Sequence, residues 1–78
     1  MAGIQFLSIL MTLTINGEDR AFSSELSLAG LLEQLKMKAD RVAIELNGEI
    51  VPRPRWPETT LRQGDRLEIV HFVGGGNL

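Results

Sequence analysis

Arg66-Leu67-Glu68-Ile69-Val70-His71-Phe72-Val73-Gly74-Gly75-Gly76, followed only by Asn77 and Leu78, is the stretch whose reading decides the fold. Apolar and polar positions alternate through it with the period of a strand, and Gly64-Asp65 marks a turn just before. Leu67 and Ile69 are predicted to point toward a covered face, which turns Glu68, Val70 and Phe72 to the other. Two readings of that second face stand. Val70 and Phe72 are an exposed apolar docking patch, or a bulge or the apolar N-terminal segment covers them. The glycines also read in two ways. A run without side chains is a thin thread suited to a narrow enzyme channel, and it is equally a plain linker at a chain end.

A strand with one covered face needs a partner layer, and the sequence upstream supplies it. Leu28, Leu31, Leu32 and Leu35 fall on one helical stripe, with Ser27 placed to cap the helix start. Gly30 lowers helix propensity there, and a close approach of helix to sheet would give it a packing reason. Lys36 and Lys38 near the helix end are expected to oppose its dipole. Before the helix, Met11, Leu13 and Ile15 alternate with Thr12 and Thr14; Asn16-Gly17 makes a tight turn, and Arg20 to Phe22 returns. After it, Val42, Ile44 and Leu46 form a strand, Asn47-Gly48 turns, and Ile50-Val51 returns briefly. Pro52, Pro54 and Pro57 then stop any central ladder, since proline has no N–H to donate. This order predicts a two-layer α+β domain, with one main helix across a four- or five-stranded sheet. Strands near the two ends of the chain could pair side by side in its middle, a topology that periodicity alone does not fix.

The 78 residues hold a single small domain, with 44% hydrophobic and 23% charged residues. Ten acidic against eight basic residues leave a net charge of −2, without the one-signed basic surface that attracts nucleic acid or anionic lipid. The expectation is neither nucleic acid nor membrane as a partner. Cysteine is absent, which removes disulfides, thiolate metal sites, a thiol nucleophile and a side-chain persulfide. Residues 1–10 are mostly apolar but lack the features of a secretory signal and the about twenty residues of a span. They are set apart as an extension, with the domain at 11–73 and the tail at 74–78. A cytoplasmic location is expected.

Single residues offer little catalysis. His71 is the only histidine and has no identifiable companion, so it reads as structural. Acidic residues are scattered without metal-ligand spacing, and glycines 74–76 lack the helix and lysine of a nucleotide loop. Trp56 is expected to anchor a solvated proline-rich loop at the domain edge, with Arg53 beside it as a partner contact.

Leu31-Leu32-Glu33-Gln34-Leu35, Asn47-Gly48-Glu49-Ile50-Val51-Pro52-Arg53 with Trp56, and Gly64 through Gly76 together resemble the ThiS family, the sulfur carriers of the thiamine pathway. The resemblance covers Met11 to Gly76 and implies a β-grasp, ubiquitin-like fold, in which the four- or five-stranded sheet is mixed. It further implies a protein cosubstrate rather than an enzyme. A ThiF-like adenylating enzyme would use ATP and Mg to activate the terminal carboxylate of Gly76, with Gly75 as the alternative. A sulfurtransferase or cysteine desulfurase would then supply sulfur for a thiocarboxylate, which thiazole synthase would consume. Val70, Phe72, Val73, Gly74, Gly75 and Arg53 are the expected partner-binding residues, and the chain itself holds no metal. Asn77 and Leu78 depart from the family ending: while they are present, Gly76 carries an amide, so a tail-processing metalloprotease is expected to remove them. The competing readings are a carrier of another pathway (molybdopterin, cysteine or siderophore) and a ubiquitin-like binding module with an inert tail.

Overall fold

The computed structural model describes residues 10–23 and 25–72. β1 (Met11–Ile15) and β2 (Glu18–Phe22) form the first hairpin, and α1 (Leu28–Leu35) follows. A 3-10 turn at Ala39–Arg41 leads to β3 (Val42–Leu46) and the short β4 (Glu49–Ile50), and a second 3-10 segment, Arg53–Glu58, precedes β5 (Arg66–His71). The five strands lie in the order β2-β1-β5-β3-β4. β1 and β5, at opposite ends of the chain, pair in parallel at the centre, while every other pairing is antiparallel. This is the mixed sheet with one main helix that the sequence pattern and the resemblance called for.

Both hairpins turn on Asn-Gly. Asn16 and Gly17 have φ of 52° and 85°, Asn47 and Gly48 of 52° and 90°. Two successive positive φ values give the twist that matches paired strands, and Asn and Gly tolerate them best. The returning strand β2 begins at Glu18, two residues earlier than its apolar content suggests, because pairing with β1 sets its length.

The core follows the predicted periods. Met11, Leu13 and Ile15 of β1, Val42 and Ile44 of β3, and Leu67 and Ile69 of β5 are buried beneath Leu28, Leu31 and Leu32 of the helix. An eight-residue helix is too short to persist alone, so its stability comes from this burial and from its caps. At the start, Ser27 Oγ accepts the Gly30 N–H at 3.0 Å, which satisfies one of the donors a helix N-terminus leaves free. Gly30 departs from expectation: a side chain there would meet Ser27 Oγ at 3.4 Å and Leu26 at 3.5 Å, on the cap rather than against the sheet.

The lysines also play another part. No basic residue lies in the last helical turn; Lys36 is instead the residue that ends the helix, with φ of 61°. Its N–H donates to the Glu33 carbonyl at 3.1 Å and that of Met37 to Leu32 at 3.0 Å, the paired bonds of a Schellman ending.

The proline-rich connection is more ordered than a solvated loop. Pro54 sits in the first turn of the 3-10 segment, where a missing N–H does no harm. Trp56 is almost wholly buried in the core, with its indole N–H donating to the Val51 carbonyl at 2.8 Å. The following residues return to the helix: Leu28 N–H donates to Thr59 and Leu61 N–H to Leu26, both at 2.9 Å. Leu61 is thereby buried. No helix among the described residues is long and apolar enough to cross a membrane.

Lys36 holds a left-handed conformation that carries a steric penalty for any residue with a Cβ. Lys36→Gly is therefore expected to raise unfolding free energy by about 1 kcal/mol, read as a higher midpoint in urea denaturation. A fall in the midpoint would mean that the lysine side chain contributes more than its backbone strain removes.

Candidate functional site

β5 carries the tail, so the site is built around how that strand ends. On one side β3 accompanies it to the Val42–His71 pair. One step further, the Phe72 N–H donates to the Arg41 carbonyl at 2.8 Å. On the other side β1 pairs only as far as Ile15 with Leu67, and Asn16 N–H donates to the Leu67 carbonyl at 2.9 Å. The Asn16 side chain then takes over: its Oδ1 accepts the Ile69 N–H at 2.7 Å and its Nδ2 donates to the Ile69 carbonyl at 3.1 Å. Among the described residues the last tie on this side is at Ile69 and on the other at Phe72.

The opposite turn holds the start of the same strand. Asn47 Oδ1 accepts the Arg66 N–H and its Nδ2 donates to Asp65 Oδ1, both at 3.0 Å. The two turn asparagines thus grip β5 at Arg66 and at Ile69, one on each side. Each Asn-Gly was legible as a turn, but the reach of its side chain was not.

The outward face of β5 is as the alternation predicts. Val70 is 57% and Phe72 51% exposed, and Ile50 on the edge strand is 69% exposed. No bulge shifts the register between β3 and β5. Ala43, Glu45, Ile50, Glu68 and Val70 line a shallow depression on this face. Glu45 and Glu68 stand directly opposite one another across the β3–β5 ladder. Such a like-charge pair is unfavourable within the fold itself.

Arg53 lies away from β5 in sequence but braces its exit. Its Nε donates to the Ala39 carbonyl at 3.1 Å, and its guanidinium carbon lies 5.8 Å from the centroid of the Trp56 ring, within reach of a cation–π attraction. The turn it holds, Ala39–Arg41, is the one whose last carbonyl receives Phe72 N–H. His71 ends β5, exposed. No cluster of potential metal ligands occurs among the described residues. Val73, Gly74, Gly75 and Gly76, named above as contact and attachment residues, lie outside the described residues, as do positions 1–9 of the N-terminal extension.

Comparison with known proteins bears directly on this arrangement. A sequence model described as the ThiS family matches residues 4–76, beginning inside the segment set apart as an extension. The chain is 37% identical over 65 residues to the sulfur carrier protein ThiS of Bacillus subtilis, covering 82% of this chain and 98% of that one. It is 45% identical over 67 residues to a thiazole synthase of Paramagnetospirillum magneticum, where 86% of this chain spans only 21% of the relative's length. The crystal structure of a thiamine biosynthesis protein (ThiS) from Geobacter metallireducens superposes with a TM-score of 0.74 at 39% identity, covering 85% of this chain and 100% of that one. A central tail-bearing strand, one covering helix and a match through Gly76 lead to one conclusion: this chain belongs to the ThiS family.

Proposed function

We propose that this protein is a sulfur carrier of thiamine biosynthesis, a protein cosubstrate whose own residues perform no catalysis. The observation that carries the reading is the end of β5: a central strand tied down as far as Phe72, with exposed Val70 and Phe72 beside it. Val73 and three glycines follow in sequence. The domain presents the tail root and a docking face together, and the tail chemistry is done by partners.

A carboxylate is a poor electrophile, and the first task is to convert its oxygen into a leaving group. In a ThiF-like adenylating enzyme, with ATP and Mg held at the partner's site, the Gly76 carboxylate attacks the α-phosphorus and releases pyrophosphate. A persulfide sulfur on a sulfurtransferase or cysteine desulfurase then attacks the acyl carbon and displaces AMP. A thiol cleaves the S–S bond of the resulting acyl disulfide, leaving a thiocarboxylate on the carrier and a disulfide on the donor side. Glycines without Cβ atoms let that end pass through a narrow channel to a buried nucleotide. The absence of cysteine fits sulfur carried on the main chain. Thiazole synthase is the proposed acceptor, supported by the P. magneticum thiazole synthase that contains a segment resembling this chain. The setting is cytoplasmic.

The chemistry requires a free carboxylate on the reacting glycine, so the bond between Gly76 and Asn77 is cleaved first, by a protease of the metalloprotease class. Incubation with the adenylating enzyme, MgATP and the sulfur donor is expected to exchange oxygen for sulfur in protein ending at Gly76, read by intact mass. The 78-residue chain is expected to stay unchanged. Thiocarboxylate formation on a chain that keeps Asn77 and Leu78 would refute the requirement for cleavage.

The docking face gives a second expectation. Val70→Glu and Phe72→Glu should each weaken binding to the adenylating enzyme by about tenfold or more in titration calorimetry, as loss of a buried apolar anchor does. The melting temperature should move little, since both residues are exposed in the free chain. Unchanged affinity in both variants would place the interface elsewhere.

Arg53→Ala separates bracing from contact. As a brace it is expected to lower stability by roughly 1 kcal/mol, the scale of an exposed cation–π contact plus one hydrogen bond. Full stability with weakened partner binding would instead make Arg53 a direct contact.

A further inference from the structure

The inward-turned amide of Asn16 is larger in consequence than a hairpin needs. A turn of this type is satisfied by a residue that accepts positive φ, and glycine does so without any side chain. Here the side chain spans to β5 and makes both bonds that a neighbouring strand would make to Ile69, at 2.7 Å and 3.1 Å. β1 has already turned away, so the amide stands in for one more residue of it. On this side the ladder therefore extends to Ile69, three residues before Phe72, where the opposite side makes its last tie. Beyond Ile69 the segment leading to the tail is held from the β3 side alone, as far as Phe72.

We propose that Asn16 is a positioning residue for the C-terminal tail, setting the direction in which the chain departs from β5 so that it enters the partner's channel. The inference rests on the charging reading above. With the amide removed, β5 beyond Leu67 is held from the β3 side alone, and the strand end can swing about that line. The side chains of the docking face, Val70, Phe72 and Ile50, are not substituted, and the bonds from the β3 side to Val70, His71 and Phe72 remain. Binding of the carrier is then preserved while the fraction of bound carriers with a correctly placed terminus falls. A reacting group displaced by even a small distance loses rate steeply.

Asn47 provides an internal control. It occupies the equivalent place in the other Asn-Gly turn, has the same φ of 52°, and likewise takes a backbone N–H of β5 on its Oδ1, but at Arg66, the end of the strand remote from the tail. Asn16→Gly and Asn47→Gly each keep the turn and remove the amide. They can be compared in the adenylation of protein ending at Gly76 by a ThiF-like enzyme with MgATP, followed by pyrophosphate release. Asn16→Gly is expected to lower kcat by about tenfold with KM within about twofold, and Asn47→Gly to leave both within about twofold. Equal losses in the two variants, or no loss with Asn16→Gly, would overturn the proposal. Backbone 15N relaxation on the full chain supplies a readout independent of charging. Amide order at Phe72 and Gly74 should fall in Asn16→Gly and not in Asn47→Gly. If the unaltered carrier is not adenylated, the functional reading fails, and this relaxation contrast alone decides the role of Asn16: its presence sustains the role and its absence removes it.

Discussion

The parallel contact between β1 and β5 is what the rest of the structure depends on. It joins Thr14 to Arg66 and Ile15 to Leu67, bringing the first and last strands together beneath one helix. Leu13 on one side and Leu67 on the other are fully covered by that packing. The two hairpins attach outward from this pair, β2 on β1 and β4 on β3. A small sheet needs a central strand buried on one face and bonded along both edges, and here that strand also carries the tail. The same bonds that stabilise the fold fix the point from which the tail departs.

Much of this was legible along the chain, for identifiable reasons. Strand alternation at Met11–Ile15 and Val42–Leu46, the two Asn-Gly turns and the Ser27 cap are local signals, and each element appears where they put it. The outward placement of Val70 and Phe72 followed from the period of two alone. Elements that rest on distant partners were harder. Trp56 read as an anchor at the domain edge, but nothing near it states that its ring joins the core, and the prolines around it suggested a solvated loop; the 3-10 segment arises because they occupy positions where an N–H is not needed. Lys36 reads as a helix-end charge, whereas its backbone ends the helix in a conformation usually given to glycine.

The site shows the same division. Val70 and Phe72 were visible as outward-facing in one segment of sequence, whereas exposed Ile50 comes from the edge strand. The groups that hold β5 in place were not visible there: Asn16 bonds a residue 53 positions away, and Arg53 one 14 positions away. A side chain's hydrogen-bond partner across such distances is set by the assembled sheet, and no local pattern encodes it. The glycine tail takes its proposed role from composition and from likeness to a family, and its residues lie beyond Phe72, outside the described residues.

The central position of the last strand also governs how the protein comes into being. Thr14 must wait for Arg66 before the sheet has its middle, and the chain between them must close as one long loop. Such non-local pairing slows folding. On the ribosome the sheet's centre remains open until β5 has emerged. Completion of the domain therefore waits on the last strand, with the glycines at 74–76 directly behind it in the sequence. The order of strands thereby acts as a clock: the sheet closes only once the glycine run behind β5 has been made.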